Sequence, residues 1–233
     1  MEHMLTRLEW LVGKENIETL ASKSVLLFGV GGVGGFAMEA LVRSGIGRIV
    51  IVDGDAVSIS NLNRQLIATK DTIGRRKVDV AKERIQSIRS DIVVETYDMV
   101  YNGEAHKDFI ASLQVDYVID AIDMVSAKLS IIETCQRLGI PCISSMGTGN
   151  KMHPELLRIT DISKTHTCPL AKVMRRELRK RGIKRQTVIF SEETPMTPHR
   201  DDDSRSPGSC AFVPSVSGLM MASFVIRTFL EVD

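Results

Sequence analysis

Long hydrophobic runs, paired cysteines and a large excess of either charge are all missing from this 233-residue sequence. Each absence removes a class of protein. No apolar stretch approaches the roughly 20 residues of a membrane span, so none is expected. The N-terminal residues MEHMLTRLEW lack the apolar core of a secretory signal, and a cytoplasmic location is the expectation. The four cysteines, Cys135, Cys142, Cys168 and Cys210, form no CxxC pair, so no structural zinc is expected. The formal charge is only +1, so a polyanionic partner must be met by a local patch. Composition is otherwise ordinary for a soluble globular protein, at 43% apolar and 25% charged, in a chain long enough to bury a sizeable core.

What is present begins at Val25. The stretch VLLFGVGGVGGFAMEALVRSGIGRIVIVDGD runs from an apolar strand through a glycine loop into a helix, then into a second strand ending at Asp53. Gly29, Gly31 and Gly34 satisfy GxGxxG, with Gly32 between them. The first glycine permits a tight turn, the second lets phosphate approach the backbone, and the third lets the helix pack on the strand. Phosphate then meets the unpaired N–H groups at the helix start. Asp53 stands roughly 20 residues on, where a ribose-binding acid belongs. The bland reading is a tight strand–helix turn without a ligand. Strand, helix and acid in one register favour nucleotide binding.

A nicotinamide-dependent oxidoreductase is the obvious class for this fingerprint, and the following residues argue against it. Asp55, Asn61, Asn63, Arg64, Gln65 and Lys77 form a dense polar set just past a strand end, where ligands sit in open parallel sheets. A pyrophosphate is already served by the helix end. Two further cations suit a triphosphate, whose charge grows on the departing pyrophosphate in nucleotidyl transfer. Alone, Lys77 would read as a solvated residue at the start of a helix.

NLNRQ at 61–65, following the glycine strand–helix unit, resembles the ThiF-type adenylating superfamily of ubiquitin-activating enzymes and their bacterial relatives in thiamine and molybdopterin synthesis. The likeness covers nearly the whole chain. It implies that Arg7, in RLEWLVG, is an arginine finger reaching the ATP of a partner subunit, and hence a homodimer. It implies that Asp53 binds the ribose, and that Asp55, Asn63, Arg64 and Lys77 serve the triphosphate end. Asp123, in DAIDMVSAK, matches the aspartate that holds Mg2+, with Lys128 the basic residue after it. Arg7, Arg64, Lys77 and Asp123 are thus the expected catalytic set. Within the superfamily, RSGIGRIVIVD, DTIGRRKVDVAKERI, DISKTHTCPLAKVMRRELRKRGI and PGSCAFVPSVSGLMMASFVI are most similar to tRNA threonylcarbamoyladenosine dehydratases. That group implies ATP-dependent cyclisation of a threonylcarbamoyl group on tRNA, through an adenylated carboxylate. The alternative is adenylation of the C-terminus of a small sulfur-carrier protein. Relatives of that kind commonly carry two CxxC pairs, which this chain lacks.

The expected fold is α/β: a Rossmann-like, doubly wound, mainly parallel sheet with a mixed C-terminal extension. Helix is expected over 1–22, with apolar Leu5, Leu8, Leu11 and Val12, and strands at 24–29 and 48–53. Helices at 34–44, 76–89 and 126–138 alternate with strands near 92–97, 115–123 and 141–145. These make up a nucleotide-binding part, 1–150. In a C-terminal substrate and dimer part, 151–233, LLRITDI at 156–162 alternates like a strand in mixed pairing. A helix at 169–182, a strand at 187–191, a polar loop at 194–209 expected to be mobile, and a final apolar helix too short for a membrane anchor complete the chain.

From Lys164 to Arg185 there are nine Lys and Arg against one acid, Glu177. Such a patch is the footprint of phosphate binding, and Lys172, Arg175, Arg176 and Arg179 are the expected tRNA contacts. A solvated helix face, or a surface for an acidic protein, is the alternative. Cys168, before Pro169 at the helix start, is either an inert cap position or a nucleophile whose thiolate the helix end stabilises. No histidine stands out as a general base. A non-enzymatic nucleotide-sensing module on the same fold would be attractive only if Arg7, Arg64, Lys77 or Asp123 were missing.

Overall fold

A computed structural model of the chain describes residues 2–197, 199 and 206–232. Seven strands form one sheet: β1 (Ser24–Phe28), β2 (Arg48–Val52), β3 (Val93–Tyr97), β4 (Tyr117–Asp120), β5 (Cys142–Ser145), β6 (Leu157–Asp161) and β7 (Thr187–Ser191). Their order is β3-β2-β1-β4-β5-β7-β6, parallel except for the β6–β7 pair. The mixed pairing read from LLRITDI is therefore present, and the sheet runs unbroken across residue 150. Helices are α1 (Thr6–Val12), α2 (Lys14–Ala21), α3 (Gly34–Arg43), α4 (Lys77–Ile88), α5 (Phe109–Leu113), α6 (Val125–Leu138), α7 (Pro169–Lys180) and α8 (Phe212–Leu230).

Both faces of the sheet are covered, which is why its central strands read as continuous apolar runs. Alternate residues divide between the two sides. Val25, Leu27, Ile49 and Ile51 join the cluster under α3, α4 and α8. Leu26, Phe28, Val50 and Val52 join the cluster with α5 and α6. A third cluster seats α7 through Ala171, Met174 and Leu178. Truncating one central side chain, such as Leu27→Ala, would cost about 2–5 kcal/mol.

Three expectations change. The single N-terminal helix is two, broken at Gly13, whose φ of +86° turns the chain between α1 and α2. The one-turn α5 was not foreseen; Ile110 and Leu113 bury it beside Phe28 and Tyr101. The closing helix spans the residues expected of it, but it is not too short for a membrane anchor. At 19 residues α8 reaches the length and hydropathy of a bilayer span, but Val213, Met221, Ala222 and Val225 pack it into the core against α3.

The winding places the site. From β1 the chain moves outward through β2 and β3, then returns to start β4 on the other side of β1. The crevice at the carboxyl ends of β1 and β4 is the topological switch point, where open α/β sheets bind ligands.

Candidate nucleotide-binding and catalytic cleft

A cleft of about 840 Å³ opens at that switch point. The sequence-predicted residues Gly29, Gly31, Gly32, Asp53, Asp55, Asn61, Arg64, Gln65, Lys77 and Asp123 all line it. Gly34, Asn63 and Lys128 do not line it. A smaller cavity, about 470 Å³, lies among β4, β5 and β7 beside Cys135, Cys142 and Arg185, and none of the predicted residues faces it.

The glycine loop is built by close approach. Gly29 takes a φ of +86°, which an L side chain resists. A Cβ at Gly34 would fall 1.7 Å from the Gly29 carbonyl oxygen, so helix and strand meet backbone to backbone. Gly31 is different: a Cβ there would find only Gln65 Nε2, at 3.6 Å. The start of α3 has no side-chain cap, as a helix end that receives an anion requires. Asp53 closes the loop from the neighbouring strand. Its carboxylate accepts the Val30 N–H at 2.8 Å and the Asp55 N–H at 2.9 Å. Burial pushes its pKa above the usual carboxylate range, and the Lys77 charge pulls against that.

Lys77 is buried and points its ammonium at the exposed carboxylate of Asp55, 2.7 Å away. The Asp55 carbonyl also accepts the Lys77 backbone N–H, which starts α4 at this point. Arg64 lies along the rim, donating from Nη1 to the Ser60 carbonyl at 2.7 Å and to Asn63 Oδ1 at 2.9 Å. Asn61 is buried, and its Oδ1 accepts the Ser58 N–H in a capping box that shapes the turn. Asn63 donates to the Ser209 carbonyl at 2.9 Å, tying the motif to the chain before α8. Gln65 Oε1 is a buried acceptor with no partner among the described residues, and it sits in the cleft wall. A ligand donor would satisfy it.

Asp123 follows β4 and is exposed to the cleft, with no side-chain hydrogen bond or ion pair among the described residues. Lys128 is fully buried. Its Nζ pairs with Asp120 Oδ2 at 2.9 Å and donates to the Ile122 carbonyl at 3.1 Å, so its charge faces the protein and not the cleft.

The far wall, after β5, carries groups the sequence reading missed. Lys151 is buried there and donates to the Gly147 carbonyl at 2.9 Å. Burial holds its pKa below the usual lysine range, against the opposing influence of Cys168 and Glu193. Glu193, also buried, accepts the backbone N–H groups of Met152 and His153. It pins the GTGNK loop from β7. Cys168 is buried at the start of α7, with Sγ against Gly147. Of the 194–209 loop, expected to be mobile, Pro198, Arg200 and residues 201–205 lie outside the described residues. Its end folds back: the Gly208 carbonyl and N–H bond Asn150 at 2.8 and 2.6 Å.

α7 leads away from the cleft mouth, which Pro169 and Leu170 line. Lys172, Arg176 and Arg179 follow one another at helical spacing and are exposed. Arg175 is partly buried, and its guanidinium donates to Thr165 at 2.6 and 2.7 Å. Arg7 is exposed on α1, 4.9 Å over the Trp10 ring, and does not line its own chain's cleft. Trp10 and Leu11 beside it are 70% and 81% exposed.

The family model described as "ThiF family" matches residues 5–233. The tRNA threonylcarbamoyladenosine dehydratase of Bacillus subtilis is 46% identical over 99% of this chain and 96% of its own length. The crystal structure of the Escherichia coli tRNA N6-threonylcarbamoyladenosine dehydratase in complex with ATP superposes with a TM-score of 0.90, at 30% identity. The match covers 98% of this chain and 94% of that one. The Escherichia coli sulfur carrier protein ThiS adenylyltransferase is 33% identical, but over only 57% of this chain and 52% of its own.

Proposed function

The chain belongs to the ThiF family, and from that membership and the cleft we propose that it is an ATP-dependent tRNA threonylcarbamoyladenosine dehydratase. The observation that carries this reading is the full-length likeness to such an enzyme, joined to a cleft whose polar residues sit at the switch point. The half-length match to a carrier-activating relative covers less of the chain.

ATP lies with its phosphates over Gly31 and the start of α3 and its ribose toward Asp53. Gln65 Oε1 takes a donor from the nucleotide. Arg64 and Lys77 hold the triphosphate, with Lys77 exchanging Asp55 for phosphate oxygens. The substrate carboxylate attacks the α-phosphorus, pyrophosphate leaves, and the carboxyl group becomes an acyl adenylate. Arg64, Lys77 and Arg7 from a second copy stabilise the charge gathering on pyrophosphate. The carbamoyl group then closes onto the activated carbonyl, a proton is lost, and AMP departs. The net change is loss of one water from the modified nucleoside.

Asp123 fits Mg2+. It is a single carboxylate free to turn into the cleft, and no cluster of three or more His, Cys, Asp or Glu suited to a metal occurs among the described residues. Mg2+ typically takes one or two carboxylates and completes its shell with phosphates and water. When bound, it would neutralise phosphate charge.

The exposed stripe of Lys172, Arg176 and Arg179 supplies phosphate contacts that lead a tRNA toward the cleft. In this reading the enzyme meets tRNA in the cytoplasm, and the action of Arg7 on the cleft of a second copy makes it a homodimer. The test is AMP release from ATP. It should require tRNA bearing threonylcarbamoyladenosine and should be lost in Asp123→Ala. Release driven instead by a small carrier protein, with tRNA inert, would overturn the reading.

A further inference from the structure

The geometry points to Lys128 as a positioning residue, one that sets the direction of Asp123 by bracketing the turn between β4 and α6. This inference rests on the assignment of Asp123 as the metal-holding carboxylate.

Asp120 ends β4, Asp123 follows three residues later, and Lys128 lies in the first turns of α6. Helix side chains lean toward the helix N-terminus, so Lys128 reaches back under the turn. Its ammonium makes two bonds there, to Asp120 Oδ2 at 2.9 Å and to the Ile122 carbonyl at 3.1 Å. Asp120 is held from two further sides. Ser144 Oγ on β5 donates to the same oxygen at 2.5 Å, and Asp120 Oδ1 accepts the Ile122 N–H at 3.3 Å. Both backbone polar groups of Ile122, its N–H and its carbonyl, are thus gripped by one buried ion pair. Asp123 is the next residue, and its own side chain has no such restraint.

The pair is an expensive way to stabilise a fold. Lys128 and Asp120 are both fully buried, and desolvating two charges often costs as much as their attraction returns. Apolar replacements of similar size tend to be neutral or stabilising. What apolar residues cannot reproduce is the ammonium bond to the Ile122 carbonyl. A bracket that holds the backbone next to a carboxylate is the kind of support that metal and phosphate sites require.

The test uses the full chain and the paired variant Asp120→Asn with Lys128→Met, which leaves neither charge buried alone. Lys128→Arg serves as the conservative variant and Asp123→Ala as the site control. Three quantities are measured: the thermal midpoint, the affinity for ATP in EDTA, and the affinity for Mn2+ in the presence of ATP, followed by electron paramagnetic resonance. The paired variant should unfold cooperatively near the wild-type midpoint and bind ATP in EDTA as wild type does. Its Mn2+ affinity should fall at least about tenfold, and Lys128→Arg should recover most of that. Wild-type Mn2+ affinity in the paired variant, with Asp123→Ala impaired, would overturn the bracket alone. Loss of cooperative folding in the paired variant would overturn it too, since the pair would then serve the fold. Unchanged Mn2+ affinity in Asp123→Ala would instead remove the site assignment on which the inference stands.

Discussion

Gly31 and Gly34 share one loop, and alanine at the two positions should do opposite things. A Cβ at Gly34 would lie 1.7 Å from the Gly29 oxygen and 2.8 Å from its carbonyl carbon, both backbone atoms. Relief demands that α3 withdraw from β1 by more than an ångström, against the packing of Met38, Leu41 and Val42, which are essentially buried. Overpacking a rigid contact costs about 1–3 kcal/mol, and this one belongs at or above the top of that range. At about 2–4 °C per kcal/mol for a domain of this size, Gly34→Ala should lower the thermal midpoint by roughly 6–12 °C. Gly31→Ala meets nothing closer than Gln65 Nε2 at 3.6 Å, and Gly31 lacks a positive φ. Its stability should hold or rise slightly, by up to about 1 kcal/mol, because alanine restricts the unfolded chain, so its midpoint should not fall. The added methyl stands where phosphate must approach the backbone, so ATP affinity should drop at least about tenfold, or 1.4 kcal/mol. Calorimetric melting and ATP titration on both variants separate the two effects. Wild-type ATP affinity in Gly31→Ala would refute the placement of phosphate over this loop, and an unshifted midpoint in Gly34→Ala would refute the packing argument.

Three further outcomes are expected. Arg7→Ala and Lys77→Ala should each lose activity, and mixed dimers of the two should regain part of it, because one of their sites joins an intact finger to an intact cleft; verified mixed dimers without recovery would place Arg7 outside the mechanism. Reversing Lys172, Arg176 and Arg179 to Glu should weaken tRNA binding and spare ATP binding, and wild-type binding should fall with salt at a slope of roughly −0.7 to −0.9 per phosphate contact; equal tRNA binding by the variant would reduce the stripe to a solvated face. Glu39, on α3, is the third case. Burial would raise its pKa, but Arg84 and Arg43, each bonded at 2.7 Å, outweigh that and hold it below the usual range. Its folded pKa is the lower one, so its stabilisation is present above about pH 4.3 and is lost as pH falls through the folded value. Glu39→Gln should therefore be less stable near neutrality by about 1–2 kcal/mol, with the difference closing in acid; a constant difference across pH would rule out the charge.

The parallel strands, the glycine loop and the polar set past β2 were legible because each depends on local pattern: continuous apolar runs, a fixed glycine spacing, polar residues packed just past a strand end. The antiparallel β6 was legible for the same reason, through its alternation. What escaped was set by tertiary contact. Leu5, Leu8, Leu11 and Val12 suggest one continuous amphipathic helix, yet Gly13 breaks it and Leu11 is left at the surface. Lys128 reads as one more cation near an acidic motif; only the packing of α6 shows its charge turned inward, although its place in the first turns of a helix after a strand end was a usable signal. Arg175 reads as part of a basic run, while its neighbours on the helix decide that it braces Thr165. Lys151 and Glu193 stand 42 positions apart in unremarkable loops, and β5 and β7 bring them to one wall. A single sequence holds no trace of that meeting.

The central claim is an ATP-driven loss of water from a tRNA nucleoside. It is tested most directly by incubating tRNA that carries threonylcarbamoyladenosine with the protein, ATP and Mg2+, digesting it to nucleosides, and weighing them by mass spectrometry. The account predicts that the modified adenosine loses the mass of one water, that AMP forms in equal amount, and that omitting ATP or using Asp123→Ala stops both. An unchanged nucleoside, in a preparation shown to bind ATP and tRNA, would contradict it.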